Sequence, residues 1–331
     1  NEHSGPAIET FTLGFADNVR LGEAIRFQYG FLYESVRFLV RLNFVSPYGR
    51  LIYQLHKNRE IHLRYASGVP NDRVPAREGE ASPGVLRQHV SSLGMFPRLS
   101  LRDGRPTIQR TEHVEISYRE KMGKGLLEVA AYKDSVNDAV LSAVAPAGAF
   151  GKGDLLPDLF SDSATLNAGD FRSSGYRVSY AHQIRDRLQA AIGVGSVEVI
   201  SPETSALGGP AISDLRRSLS TPRARMLTAS LTTSLPKADT RLHGSYQWVS
   251  RKAVIAPDLY NDFASRSDPG LNLVIRQPLP FSGGLPGKLE ATARLSNLLK
   301  SGYIPLQTIG GQRVYLFQAV RSYRGALSII F

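Results

Sequence analysis

The chain closes on Tyr323-Arg-Gly-Ala-Leu-Ser-Ile-Ile-Phe331, with Tyr323, Leu327, Ile329 and Phe331 on one parity and mostly small or polar residues on the other. Successive side chains of a strand point to opposite faces, so this segment presents one apolar side. A strand of this pattern that stops on an aromatic residue is how membrane-spanning bacterial β-barrels finish. The alternative is a soluble edge strand that ends in Phe, so the rest of the sequence has to decide between them.

Composition narrows the choice. Hydrophobic residues make up 42% of the 331, and no stretch approaches the ~18 consecutive apolar residues of a spanning helix, so a membrane assignment has to rest on strands. The absence of cysteine is compatible with export through an oxidising compartment. Asn1 opens a polar segment without the features of a secretory leader, so a mature or internal portion is expected. The net charge of +11 invites a nucleic-acid reading. The basic residues are nonetheless dispersed, without a dense run, zinc-ligand spacing or an aromatic-flanked RNA signature, so no nucleic-acid partner is expected.

Segments of about ten residues alternate repeatedly, as expected for strands with an apolar outward and a polar inward side. Ile25, Phe27, Tyr29, Phe31 and Tyr33 oppose Arg26, Gln28 and Gly30. Val114, Ile116 and Tyr118 oppose His113, Glu115, Ser117 and Arg119; Leu242, Tyr246 and Trp248 oppose Arg241, His243, Ser245 and Gln247. Ile61, Leu63 and Tyr65 oppose His62, Arg64 and Ala66, and Leu289, Ala291, Ala293 and Leu295 oppose Glu290, Thr292, Arg294 and Ser296. The expected membrane-facing aromatics are Phe27, Tyr29, Phe31, Tyr118, Tyr180, Tyr246, Trp248 and Phe331.

Short joins rich in Gly, Pro, Asp, Asn or basic residues fall at 17–22, 57–60, 121–125, 184–187, 236–240 and 282–287. Between them lie long segments near 68–109, 137–169, 199–223, 252–268 and 298–318, expected to be extracellular loops of one barrel domain over 1–331. Tight turns at one rim and long loops at the other is the asymmetry of outer-membrane barrels.

Gly49-Arg-Leu-Ile-Tyr-Gln-Leu, Asn58 and Ile61-His-Leu-Arg-Tyr-Ala-Ser-Gly68 resemble the hairpin of TonB-dependent outer-membrane receptors that precedes their large extracellular loops. Glu112-His-Val-Glu-Ile-Ser-Tyr118, then Leu127-Glu-Val-Ala-Ala-Tyr132 and Asn137-Asp138, resemble the next hairpin. Asn297-Leu-Leu-Lys-Ser-Gly-Tyr303 with Arg321-Ser-Tyr-Arg-Gly and Phe331 resemble the closing strands. The resemblance implies the C-terminal part of such a receptor, located in the bacterial outer membrane and in contact with its lipid and lipopolysaccharide. Its partners would be the barrel-assembly machinery and either an energy-coupling periplasmic protein or another chain that completes the barrel. No segment resembles the plug domain or the energy-coupling box of that family.

Strands are expected near 7–16, 23–33, 48–57, 60–67, 110–120, 126–136, 170–182, 187–198, 224–234, 240–251, 269–279, 287–297 and 319–331. The expected fold is thus all-β, a transmembrane antiparallel barrel with about 13–14 strands here, either self-contained or part of a ring of about 22.

Enzymatic chemistry is not expected. His56, His62, His113, His182 and His243 fall near strands, but the sequence has no Gly-x-Ser-x-Gly elbow, no His-Glu-x-x-His and no cysteine nucleophile. Asp154, Asp158, Asp162 and Asp170 lack the ligand rhythm of a calcium loop, so no metal or cofactor is expected. Capture or passage of a solute remains. Inward Arg26, Arg64, Arg119, Arg177, Arg276 and Arg294, with loop residues Arg73, Arg77, Arg216, Arg217 and Arg223, would make a positive interior and mouth, unless carboxylates such as Glu115 and Glu290 or lipopolysaccharide phosphates neutralise them. The alternatives to a receptor are a porin-like barrel and a non-transporting scaffold.

Overall fold

The structure is a computed structural model that describes residues 9–68, 99–145, 150, 154–157, 163–209, 211–235, 238–254, 269–279, 288–308, 310–317 and 321–330. Strands β1 (Glu9–Leu21), β2 (Ile25–Phe38), β3 (Val40–His56) and β4 (Arg59–Gly68) open the chain, and β5 (Leu99–Arg102) and β6 (Arg105–Ile108) form a separate hairpin. Next come β7 (Arg110–Met122), β8 (Gly125–Asn137), the short β9 (Val140–Val144), β10 (Leu155–Pro157) and β11 (Ala164–Asn167), then β12 (Phe171–Arg185) and β13 (Leu188–Glu198). A ribbon of β14 (Ser201–Pro202) and β15 (Leu219–Ser220) flanks helix α1 (Ile212–Ser218). The remaining strands are β16 (Arg223–Leu235), β17 (Thr240–Val249), β18 (Gly270–Leu279), β19 (Lys288–Ser296), β20 (Ile304–Gln307), β21 (Arg313–Phe317) and β22 (Ser322–Ile330).

Thirteen of these strands build one antiparallel sheet in the order β1-β2-β3-β4-β7-β8-β12-β13-β16-β17-β18-β19-β22. Each corresponds to one of the thirteen segments expected from alternation. The sheet is not closed: among the described residues β1 pairs only with β2, and β22 only with β19.

Tight turns fix the register at one rim. Met122 pairs with Gly125 across Gly123-Lys124, where Gly123 takes a φ of 58° that favours a residue without Cβ. In the separate hairpin Arg102 pairs with Arg105 across Asp103-Gly104, both at positive φ, as a twist-matched two-residue turn requires.

Burial along the sheet is the reverse of a water-soluble protein. Directly opposed residues of antiparallel strands share a face, and the registers join Tyr53, Ile61, Tyr118, Val129, Val178, Val194, Leu227 and Trp248 into one row. On this face Ile116, Ile192 and Val194 are 52%, 53% and 51% exposed, whereas on the other Glu128, Arg177 and Glu115 are 0%, 2% and 3% exposed. A broad apolar face outside and ionised groups inside is stable when the outer solvent is hydrocarbon, and it is the pattern of a transmembrane barrel wall. Aromatic residues flank the apolar band, with Tyr29, Tyr53, Tyr118 and Tyr180 toward the turns and Tyr33, Tyr65, Tyr176, Trp248 and Tyr323 toward the loops. Amphipathic rings prefer those two interfaces.

Two expectations change. Strands β2 and β3 continue through 34–47 and meet at Leu39, an exposed apex at φ 58°. At about 3.3 Å per residue the 17 residues of β3 span roughly 55 Å, well beyond a ~30 Å hydrocarbon core, so this hairpin projects past the membrane. The long connections are also not plain loops, since they supply β5, β6, β9–β11, β14, β15, β20, β21 and α1.

Candidate functional site

Those connections assemble into one cap. Strands β10-β11-β9-β21-β20 form a five-stranded sheet drawn from the segments after β8 and after β19. Its apolar side buries Leu141, Leu166, Leu306, Val314 and Leu316 together with Ile212 and Leu215 of α1, Val254 and the wall residue Val136. Burying about 25 cal/mol per Å² of apolar surface makes such a cluster the main source of the cap's cohesion. Hydrogen bonds tie the segments further: the Leu207 N–H donates to Gln307 O and the Val254 N–H to Ile200 O, both at 2.8 Å. Asn167 Nδ2 donates to Asp138 Oδ1 at 2.8 Å and to Thr107 Oγ1 at 3.0 Å, while Arg216 Nε donates to the Asn167 carbonyl at 2.8 Å. The β5–β6 hairpin seats Leu99 and Ile108 against Val36, Phe38, Leu42 and Phe44 of the projecting hairpin.

Below the cap, the polar face of β3, β4, β7, β8 and β12 carries an ionic network. Arg177 Nη2 donates to Glu115 Oε2 at 2.7 Å and to Glu128 Oε1 at 2.9 Å, and Arg119 Nε donates to Glu128 Oε2 at 2.6 Å. His113 Nδ1 lies 2.6 Å from Asp134 Oδ1 and its Nε2 is 3.7 Å from Glu115. Arg50 Nη2 donates to His62 Nδ1 at 3.0 Å, and His62 Nε2 lies 2.8 Å from Glu60. Arg64 stands directly across from both Arg50 and Glu115. Arg26, Arg50, Arg64, Arg119 and Arg177 thus face Glu60, Glu115, Glu128 and Asp134, five cations against four carboxylates. Buried charges persist when paired in this way.

The structure therefore brings together Arg64, Arg119 and Arg177 among carboxylates that offset most of their charge. Arg26 lies on the same face, across from Ile52 and Arg20. Arg276 stands across from Arg241 and Thr292, and Arg294 across from Val274 and Arg324, on the last strands of the sheet and remote in strand order from the network. Phe27, Tyr29, Phe31, Tyr118, Tyr180, Tyr246 and Trp248 share the apolar face, with Phe27 and Tyr29 stacked at 5.2 Å. Phe331, Arg73, Arg77, Asp158 and Asp162 lie outside the described residues. Sequence reasoning missed Glu128, Asp134 and Glu60 as partners, although all three fall on the polar parity of their strands.

Glycines under tyrosines shape the same face. A Cβ on Gly175 would lie 2.5 Å from Tyr132 Oη and 2.6 Å from the Ser196 carbonyl, and the Arg177 guanidinium sits over the Tyr132 ring at 5.9 Å. Gly175→Ala is expected to cost about 1–3 kcal/mol through this overlap, read as a lower urea midpoint of the folded protein. Gly244→Ala, where a Cβ meets nothing within 4 Å, should change the midpoint little.

No family model and no curated protein matches the sequence. Solved structures do. The siderophore receptor PirA from Pseudomonas aeruginosa is 11% identical with a TM-score of 0.37, over 93% of this chain and 47% of that one. The FrpB iron transporter from Neisseria meningitidis is 14% identical with a TM-score of 0.39, over 93% and 44%. The copper transporter OprC is 12% identical with a TM-score of 0.38, over 93% and 47%. The chain spans about half the length of the structures it matches.

Proposed function

We propose that this chain supplies thirteen consecutive wall strands and the surface cap of a bacterial outer-membrane barrel that captures a solute, in the manner of the TonB-dependent receptors its hairpins resemble. The observation that carries the reading is the inverted burial of the sheet, apolar outside and ionic inside, with tight turns at one rim and an assembled cap at the other. The solute would meet the outer surface of the cap, and the wall would hold the passage.

Strand parity favours this over a self-contained porin. Among the described residues the meander has thirteen strands, so β1 and β22 run in the same direction and joining them directly makes a parallel seam, whereas barrels of this type are antiparallel throughout. An odd number of further strands restores the antiparallel ring, and unpaired edges in hydrocarbon cost several kcal/mol per group. Any coupling to a periplasmic protein would reside in those further segments.

The absence of native cysteine allows a direct test of orientation. Single cysteines at exposed cap positions Ala206 and Ser213 are expected to react with a membrane-impermeant maleimide on intact cells, and cysteines at the turn residues Lys57 and Arg187 only after the outer membrane is opened. The opposite pattern, or labelling of all four alike, would overturn the assignment.

A further inference from the structure

The registers divide the inward arginines into two sectors of different charge balance. On β4, β7, β8 and β12 each cation has a carboxylate beside it, as where Arg64 stands across from Glu115 and Arg177 bonds Glu115 and Glu128. On β17, β18, β19 and β22 the outward row is Leu242, Ile275, Ala293 and Gly325, so Arg241, Arg276, Arg294 and Arg324 lie on the inner face. There Arg241 stands directly across from Arg276, and Arg294 directly across from Arg324. The pairs Arg276–Thr292 and Val274–Arg294 make Arg276 and Arg294 diagonal neighbours, so the two arginine pairs lie about 7 Å apart along the strands.

Little negative charge is available to offset them. Arg241, Arg276 and Arg294 sit on strands paired on both sides, and their direct cross-strand neighbours are Ser234, Thr292, Val274 and one another. The carboxylate on this face of the four strands, among the described residues, is Glu290, across from Pro278 and Ser328. In sequence, residues 271–331 hold Glu290 as their sole acidic residue against seven Lys and Arg, so no other residue of that stretch can supply an anion. Four arginines against one carboxylate leave +3 on this sector. Arg241 and Arg324 are exposed and Arg276 and Arg294 half-buried, whereas Glu128 and Arg177 of the other sector are closed off. Like charges directly across a sheet repel unless an anion lies between them, and a guanidinium pair matches the oxygens of a carboxylate or phosphate.

On the receptor reading above, we propose that Arg241, Arg276, Arg294 and Arg324 form a binding patch for a solute that carries two or more anionic groups, carboxylate or phosphate. Each arginine pair takes one group, and the spacing of the pairs sets the spacing of the groups. The route of the solute then follows β17–β22, while the closed network on β4–β12 serves as structural wall.

The test titrates the purified protein in detergent by calorimetry with tripolyphosphate, with propane-1,2,3-tricarboxylate and with the neutral trimethyl ester of the latter. Binding of one of the two anions is expected, weakening as salt is raised and absent for the ester. The tighter anion tells whether phosphate or carboxylate is preferred. Replacing Arg241 and Arg294 with glutamine removes one arginine from each pair and should weaken binding by roughly tenfold or more, since a hydrogen bond to a charged group is worth about 1.5–3 kcal/mol. Arg225→Gln on the outward face should leave binding unchanged. Silence from both anions, equal binding of the ester, or native affinity in the double variant overturns the patch, and the first two apply to the parent protein even where the variant does not fold. Such a failure alongside the expected maleimide labelling overturns the patch alone, whereas the opposite labelling overturns the barrel reading on which it rests.

Discussion

Exchanging Glu128 for alanine is expected to be the most damaging single change in the wall. Its carboxylate is fully buried and accepts from both Arg119 and Arg177, so its loss leaves two guanidinium groups short of a partner on a closed face. Breaking a buried ion pair from one side costs about 3–5 kcal/mol because the abandoned charge stays desolvated. The measurement is the urea midpoint of the folded protein in detergent or lipid. Arg177→Met should be nearly as costly, since Glu115 and Glu128 lose the cation they share and keep only Arg64 and Arg119 beside them. The double variant should cost clearly less than the sum of the two, because contacting residues of one network couple. A Glu128→Ala protein within about 1 kcal/mol of the parent would show that water reaches this network and that the burial seen here does not govern it.

Why the wall was legible in the sequence and the cap was not follows from periodicity. Inside the membrane band each strand has one apolar and one polar face, and the period of two survives even in Leu127-Glu-Val-Ala-Ala-Tyr132, which places Glu128 on the inner side. Residues 34–47 broke that rule: Val36, Phe38, Leu42 and Phe44 are apolar on the parity that is polar lower down, because a hairpin from another part of the chain covers them. Read alone, the stretch loses its alternation just where β2 and β3 leave the bilayer. The strands of the five-stranded cap sheet are three to five residues long and gain apolar contacts from segments more than a hundred residues away, as where Leu141 and Leu166 meet Leu306 and Leu316. No local pattern encodes such an encounter. The arginines were legible as inward-facing, but their neutralisation depended on Glu115 and Glu128 falling in register beside Arg177, which is a property of three strands at once.

The apolar face is tested most cleanly at Ala293, because a small side chain contributes little packing of its own. It is exposed in the middle of β19, between Ile275 of β18 and Gly325 of β22. An arginine there would have to hold its charge against hydrocarbon or draw water and headgroups down to it, at a cost of about 2–4 kcal/mol near the midplane. Ala293→Leu adds apolar surface at the same point and should leave stability unchanged or slightly raised. The contrast between the two isolates charge from size, since both substitutions enlarge the side chain. Equilibrium unfolding in lipid vesicles should therefore place Ala293→Arg well below the parent and Ala293→Leu beside it. If the two variants moved together, or the same difference appeared in detergent-free aqueous buffer, the face would be packing against protein or water, and the inverted burial of the sheet would need another cause.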